Sequence, residues 1–281
     1  MQGEDEVRTL VRERYGAIAR EVGSCCAPSC CTPEIAPDGL NVIGDAYDGV
    51  AGRLAEADLH LGCGVPTQHA ALKRGETVLD LGSGAGNDVF IARHEVGAEG
   101  RVIGVDMTPD MIARARANAR KLGFDNVKFR LGEIEPLPVE SGSIDVIISN
   151  CVLNLLPDKA PAFVEMFRVL RPGGRFCVSD IVATGHLPDW AREVAALYVG
   201  CIAGALPEKE YLALIEAAGF ESVRNAKAQP IRLPDEILSQ HFSAEEIAAF
   251  RASGVELKSV TVLATKPTMT MTKPTMAHER Q

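Results

Sequence analysis

Apolar positions in this chain follow two regimes. Between Lys73 and Ile181, short uniform apolar runs are separated by stretches in which apolar residues return every three or four positions. Strands buried on both faces give the first pattern and amphipathic helices the second. The strands so predicted are Thr77–Leu81, Arg101–Asp106, Val127–Leu131, Ile144–Asn150 and residues 175–181. A helix over Pro109–Leu122 opens with proline in its first turn and carries Ile112, Ala115, Ala119 and Leu122 on one stripe. Further helices fall at 7–20 and 207–218, the latter with Gly219 placed to end it. Residues 222–229 and 258–265 read as added strands at a sheet edge. Strands alternating with helices make βαβ units, and right-handed crossovers leave an α/β, doubly wound, mainly parallel sheet as the simplest topology.

Composition divides the chain into an N-terminal Cys-rich segment, 1–71, a main α/β domain, 72–230, and a C-terminal α+β extension, 231–265. A polar Thr, Met and Lys-Pro tail over 266–281 reads as disordered. At 281 residues the chain can bury a sizeable core. A net charge of -9 argues against a phosphate-neutralising surface, so no nucleic-acid partner is expected. Arg114, Arg116, Arg120 and Lys121 cluster at helical spacing and read as a solvated face. The first ten residues include Glu4, Asp5 and Glu6 and resemble no secretory leader. The longest nearly uncharged apolar stretch, 194–206, falls short of the roughly 20 residues that cross a bilayer. The expectation is a cytoplasmic protein without membrane contact. Thiols stay reduced there, so its eight cysteines serve as ligands, catalysts or buried residues rather than disulfides.

Asp80-Leu81-Gly82-Ser83-Gly84-Ala85-Gly86 follows the first strand and opens a helix near Asn87. Glycines let the backbone approach a ligand, and Asp106 ends the next strand at about the 20-residue spacing where a carboxylate meets ribose hydroxyls. In the dinucleotide fingerprint the third glycine would fall at Asn87. Here it comes earlier, at Gly86, which disfavours NAD and fits the S-adenosylmethionine version of the loop. Glu133, Ile134 and Glu135 follow the third strand and Asn150 ends the fourth, so they would line the same crevice.

Cys151 follows the fourth strand at that edge. Cys201 continues the apolar stripe of a helix through Val194 and Leu197, and Cys63 lies between two glycines in what reads as a sharp exposed turn. Cys177, inside a strand, reads as core filling. Cys25-Cys26 and Cys30-Cys31 do not match C-x-x-C zinc spacing; they could gather a soft metalloid or exchange disulfides with Cys63. Thiols around a methyl-donor loop point to a soft acceptor, because thiolates select soft metals and, by extension, metalloids.

These residues resemble the arsenite S-adenosylmethionine methyltransferases over roughly residues 59–223. The resemblance rests on Leu61-Gly62-Cys63-Gly64, Val78-Leu79-Asp80-Leu81-Gly82-Ser83-Gly84, Gly104-Val105-Asp106-Met107-Thr108-Pro109, Ser149-Asn150-Cys151-Val152-Leu153-Asn154-Leu155 and Gly200-Cys201-Ile202-Ala203-Gly204-Ala205-Leu206. It implies a Rossmann-like class I methyltransferase that methylates thiol-bound As(III) in arsenic detoxification. Cys63, Cys151 and Cys201 would be the arsenic ligands, with Asp80, Gly82, Ser83, Gly84, Asp106, Met107, Ile134, Glu135 and Asn150 around the cofactor. A fourth catalytic cysteine, Cys31 or its neighbour Cys30, would exchange disulfides with Cys63, with glutathione or thioredoxin as reductant. The thiol pKa values would be lowered from about 8.5 by their surroundings or by the metalloid. Gly200 departs from the acidic residue that can precede the third cysteine in this family. Two other readings stand beside this one: a methyltransferase for a quinone- or lipid-like organic acceptor, and a thiol-rich metalloid-binding protein without turnover.

Overall fold

Seven strands form one sheet in the order β3-β2-β1-β4-β5-β7-β6. They are β1 (Thr77–Leu81), β2 (Arg101–Asp106), β3 (Val127–Leu131), β4 (Ile144–Asn150), β5 (Leu170–Ala183), β6 (Glu221–Ile231) and β7 (Leu257–Thr265). The computed structural model describes residues 4–21, 47–192, 201–239 and 242–268. The first five strands run parallel, and β7 pairs antiparallel with both β5 and β6.

Alternate side chains of the central strands feed opposite cores, as the two-residue period of a strand requires. Leu79, Ile103 and Ile147 pack on one face against Phe163 and Met166 of α4 (Ala160–Val169). Val78, Val102 and Ile148 pack on the other against Phe90 of α2 (Asn87–Val96) and Met111 and Ala115 of α3 (Pro109–Leu122). Burying each large apolar side chain contributes roughly 1.5–3 kcal/mol, enough to make this sandwich dominate the fold. N-terminal α1 (Glu4–Glu21) lies across the edge where β1, β2 and β4 end. Arg8 pairs with Glu133 at 2.8 Å and Glu135 at 3.0 Å, and Arg20 pairs with Asp110.

Four sequence expectations need correction. β5 begins at Leu170 rather than 175, because Arg171-Pro172-Gly173-Gly174 reads as a turn yet continues the strand past a register shift between Ile144 and Val146. Residues 231–265, set apart above as an extension, contain β7, which lies between β5 and β6 in the main sheet. Arg114 and Arg116 are not merely solvated: Arg114 donates to the carbonyls of Ala19 and Glu56, and Arg116 to that of Phe129. Lys266, where the tail was expected to begin, donates to the carbonyls of Phe167 and Leu170 at 2.6 and 2.7 Å; residues 269–281 lie outside the described residues. Among the described residues no helix is long and apolar enough to cross a membrane.

Candidate functional site

A cleft enclosing about 1170 Å³ of empty space, part of it open to solvent, runs along the carboxyl ends of β1, β2 and β4. The loop after β1 turns sharply into α2. At Gly82 the backbone is left-handed (φ 66°), and an added Cβ would lie 2.2 Å from Val152 Cγ2, so glycine is required by conformation and by space. Asp106 ties the loop to β2, accepting from the Gly84 N–H at 3.0 Å and the Thr108 N–H at 2.8 Å. Asp80, Gly82, Ser83, Gly84, Asp106, Met107, Ile134, Glu135 and Asn150 all line this cleft.

Its electrostatics are acidic. Burial, with Asp88 and Asp106 nearby, pushes the Asp80 carboxyl well above the usual range. Burial also raises Asp88, to about 6, although Tyr47 and Asn150 hydrogen bonds pull it back. Asp106 is raised by burial against the opposing N–H groups of Thr108 and Gly84. Carboxyls pushed this way gain most from a cation that restores their charged form. A ligand carrying a sulfonium and an ammonium group meets that requirement.

Beyond Asn150, β4 ends in a second structure. Cys63, Cys151 and Cys201 come from three separate segments and meet in one buried apolar cluster with Ile181, Ala183 and Ile202. Cys151 hydrogen-bonds both other thiols, and Cys201 Sγ donates to the Cys151 carbonyl at 2.6 Å. Cys151 and Cys201 both take left-handed backbones, φ 60° and 62°, a conformation costing roughly 1–2 kcal/mol outside glycine. Such strain persists only where surrounding contacts impose it, and it concentrates at functional sites. Cys151 lines the cleft, so the thiol cluster adjoins it.

Several expectations about these thiols change. Cys63 sits in no exposed turn: it is 2% exposed, and its carbonyl accepts from Ser259 Oγ at 2.6 Å. Cys201 lies in a left-handed turn rather than along a helix stripe; Val194, Leu197 and Gly200 lie outside the described residues. The pKa shift runs opposite to expectation. Hydrogen bonds to Cys201 and Cys63, together with burial, raise Cys151 well above the usual thiol value, and burial raises Cys63. The resting Cys63 and Cys151 thiols are therefore protonated. Cys25, Cys26, Cys30 and Cys31 lie outside the described residues. Among the described residues, no three His, Cys, Asp or Glu side chains stand ready as a metal-ion cage.

Other site residues escaped the sequence reading. Tyr15 of α1 lines the cleft and hydrogen-bonds Cys201; burial, then the neighbouring thiols, raise its phenol well above 10. Arg8, Val11 and Tyr15 share one helix face, and their i, i+3, i+7 spacing was the available signal. Tyr47 donates to Asp88 at 2.6 Å and accepts from Asn150 at 2.7 Å; nothing local in the sequence marks it.

Residues 72–219 match the family model described as a methyltransferase domain. The arsenite methyltransferase of Halobacterium salinarum is 45% identical over 275 residues, 94% of this chain and 67% of that protein. The arsenite methyltransferase of Aquipseudomonas alcaligenes is 36% identical over 259 residues, 88% of this chain and 72% of that protein. A crystal structure of an arsenic(III) S-adenosylmethionine methyltransferase from Chlamydomonas reinhardtii matches with a TM-score of 0.63 at 35% identity, covering 79% of this chain and 71% of that one. Sheet order, glycine loop and matched domain define a class I methyltransferase. Within that class, the chain belongs to the arsenite methyltransferase family.

Proposed function

We propose that the chain transfers the methyl group of S-adenosylmethionine to trivalent arsenic held by Cys63, Cys151 and Cys201. The observation that carries this reading is the meeting of three buried thiols from distant segments beside an acid-lined cleft, which one of them, Cys151, lines. Asp106 and Asp80 suit the ribose and cationic end of the donor, and Gly82 and Gly84 let it lie close to the backbone. Thiolates are soft ligands that hold As(III) where carboxylates and imidazoles bind weakly.

Protonated thiols are compatible with this chemistry. Arsenous acid exchanges its three hydroxyls for three sulfurs, and each thiol proton leaves in a water molecule, so no general base is needed. The arsenic lone pair then forms the As–C bond while the C–S⁺ bond of the sulfonium breaks, its electrons returning to sulfur. The protein's part is alignment, which supplies about 7–11 kcal/mol in favourable cases. Arsenic is formally oxidised by two electrons, and two thiolates can return them by forming a disulfide. Cys31 or Cys30 pairing with Cys63, followed by reduction by glutathione or thioredoxin, would complete the cycle.

Incubation with As(III), methyl-labelled S-adenosylmethionine and a thiol reductant tests this. Labelled methylarsenic supports the proposal. Arsenic bound without label transfer supports sequestration, and neither outcome leaves an organic acceptor.

A further inference from the structure

We propose that Asn150 and Asn154, the asparagines bracketing Cys151, are positioning residues that bring Cys63 and Cys201 to it. This inference rests on the three-thiol arsenic site proposed above. The three cysteines are far apart along the chain, and two adopt left-handed backbones, so something must hold their segments in register. The two amides do so from either side of the middle cysteine.

Asn150 Oδ1 accepts from the backbone N–H of Cys63 at 3.0 Å and of Gly64 at 3.2 Å, while its Nδ2 donates to the Gly64 carbonyl at 2.6 Å. The approach needs glycine at 62, where a Cβ would lie 2.4 Å from Asn150 Nδ2. Asn154 is fully buried, and its Nδ2 donates to the carbonyls of Ile181 at 2.6 Å and Cys201 at 3.0 Å. Glycine is again required opposite, because a Cβ on Gly204 would lie 1.9 Å from the Asn154 carbonyl oxygen. Lys159 closes the same turn by donating to the Gly204 carbonyl at 2.8 Å. An amide suits both positions. Asn150 must accept and donate at once, and a carboxylate at 154 would present only acceptors to two carbonyls.

The two arms differ in one useful respect: Asn150 lines the cofactor cleft, whereas Asn154 does not. The test therefore uses Asn154→Asp and Gly204→Ala in the full chain, with Asn154→Ser as a milder variant should either fail to fold. Cys63, Cys151 and Cys201 are alkylated with and without As(III), and each is quantified by mass spectrometry alongside S-adenosylmethionine affinity and melting temperature. In the unaltered protein As(III) protects all three thiols. In the folded variants, protection of Cys201 falls at least tenfold and As(III) methylation falls with it. Cys63 and Cys151 stay protected, and cofactor affinity stays within twofold. Cys201 protected as in the unaltered protein overturns the inference, as does equal loss at all three thiols in step with melting temperature. Absence of protection in the unaltered protein instead overturns the arsenic site itself.

Discussion

Gly82 and Cys201 both place a left-handed backbone at one edge of the sheet, at φ 66° and 62°, but in different company. Glycine takes that conformation freely, and the loop around Gly82 leaves an open cleft edged by carboxyls that burial pushes upward. Cysteine takes it at a cost, and the turn around Cys201 closes a dry cluster in which the raised thiols are neutral. The cleft is a regular strand–loop–helix product, whereas the thiol cluster is assembled from three segments held by side-chain hydrogen bonds. One region is suited to a charged donor and the other to a neutral, soft acceptor. The boundary between them is a single peptide, Asn150-Cys151.

The largest effect that separates the two regions is expected from Cys151→Ser. The size is conserved, but a hard hydroxyl replaces a soft sulfur, so As(III) methylation should fall at least 100-fold while calorimetric S-adenosylmethionine affinity changes less than about twofold. Full turnover would merge the two regions into one cofactor site with incidental cysteines. Asp106→Ala should do the reverse. Loss of charge-assisted hydrogen bonds worth about 1.5–3 kcal/mol each weakens the cofactor roughly 10–100-fold, while thiol protection by As(III) survives. Unchanged calorimetric affinity would remove Asp106 from the donor site.

A smaller effect lies beneath the thiols. Asp180 is fully buried near Cys63, and burial raises its carboxyl to about 7 against the opposing pull of Lys159. A carboxyl raised on folding binds its proton more tightly in the folded state, so its contribution to stability falls as pH rises from about 4 to about 7. Asp180→Asn should therefore melt about 3–6 °C above the unaltered protein at pH 8, and the gap should close near pH 4. A gap that widens on acidification would reverse the sign of the shift. The smallest kinetic effect belongs to Cys177→Ser. This thiol is also buried and raised, to about 12, but its backbone is not left-handed and its Sγ donates to the Pro66 carbonyl at 3.2 Å. Methylation kinetics should be unchanged, with stability lower by about 1–2 kcal/mol in denaturant titration.

The cleft was the readable half. Four strands and α3 fall at the residues predicted, because uniform apolar runs and a proline-led amphipathic stripe report local structure directly. The glycine loop follows β1 for the same reason. The apolar pattern predicts no helix at α4 and too short a β5, since Pro172-Gly173-Gly174 carries the punctuation of a turn while tertiary pairing makes it strand. In the thiol cluster, residue identity could be read but environment could not. Two glycines around Cys63 suggest exposure, yet Ser259, far along the chain, and Asn150 close over it. The left-handed turn at Cys201 and the contact of Tyr15 with its thiol arise from packing between distant segments, for which a local pattern holds no signal.

The central claim is that three sulfurs present arsenic to the donor across the Asn150-Cys151 boundary. X-ray absorption at the arsenic edge tests it most directly, on the As(III) complex before and after one equivalent of S-adenosylmethionine. The account predicts a shell of three sulfurs first, then a carbon neighbour on arsenic together with one equivalent of S-adenosylhomocysteine. An oxygen shell at the start, or a three-sulfur shell that the methyl donor leaves unchanged, would contradict it.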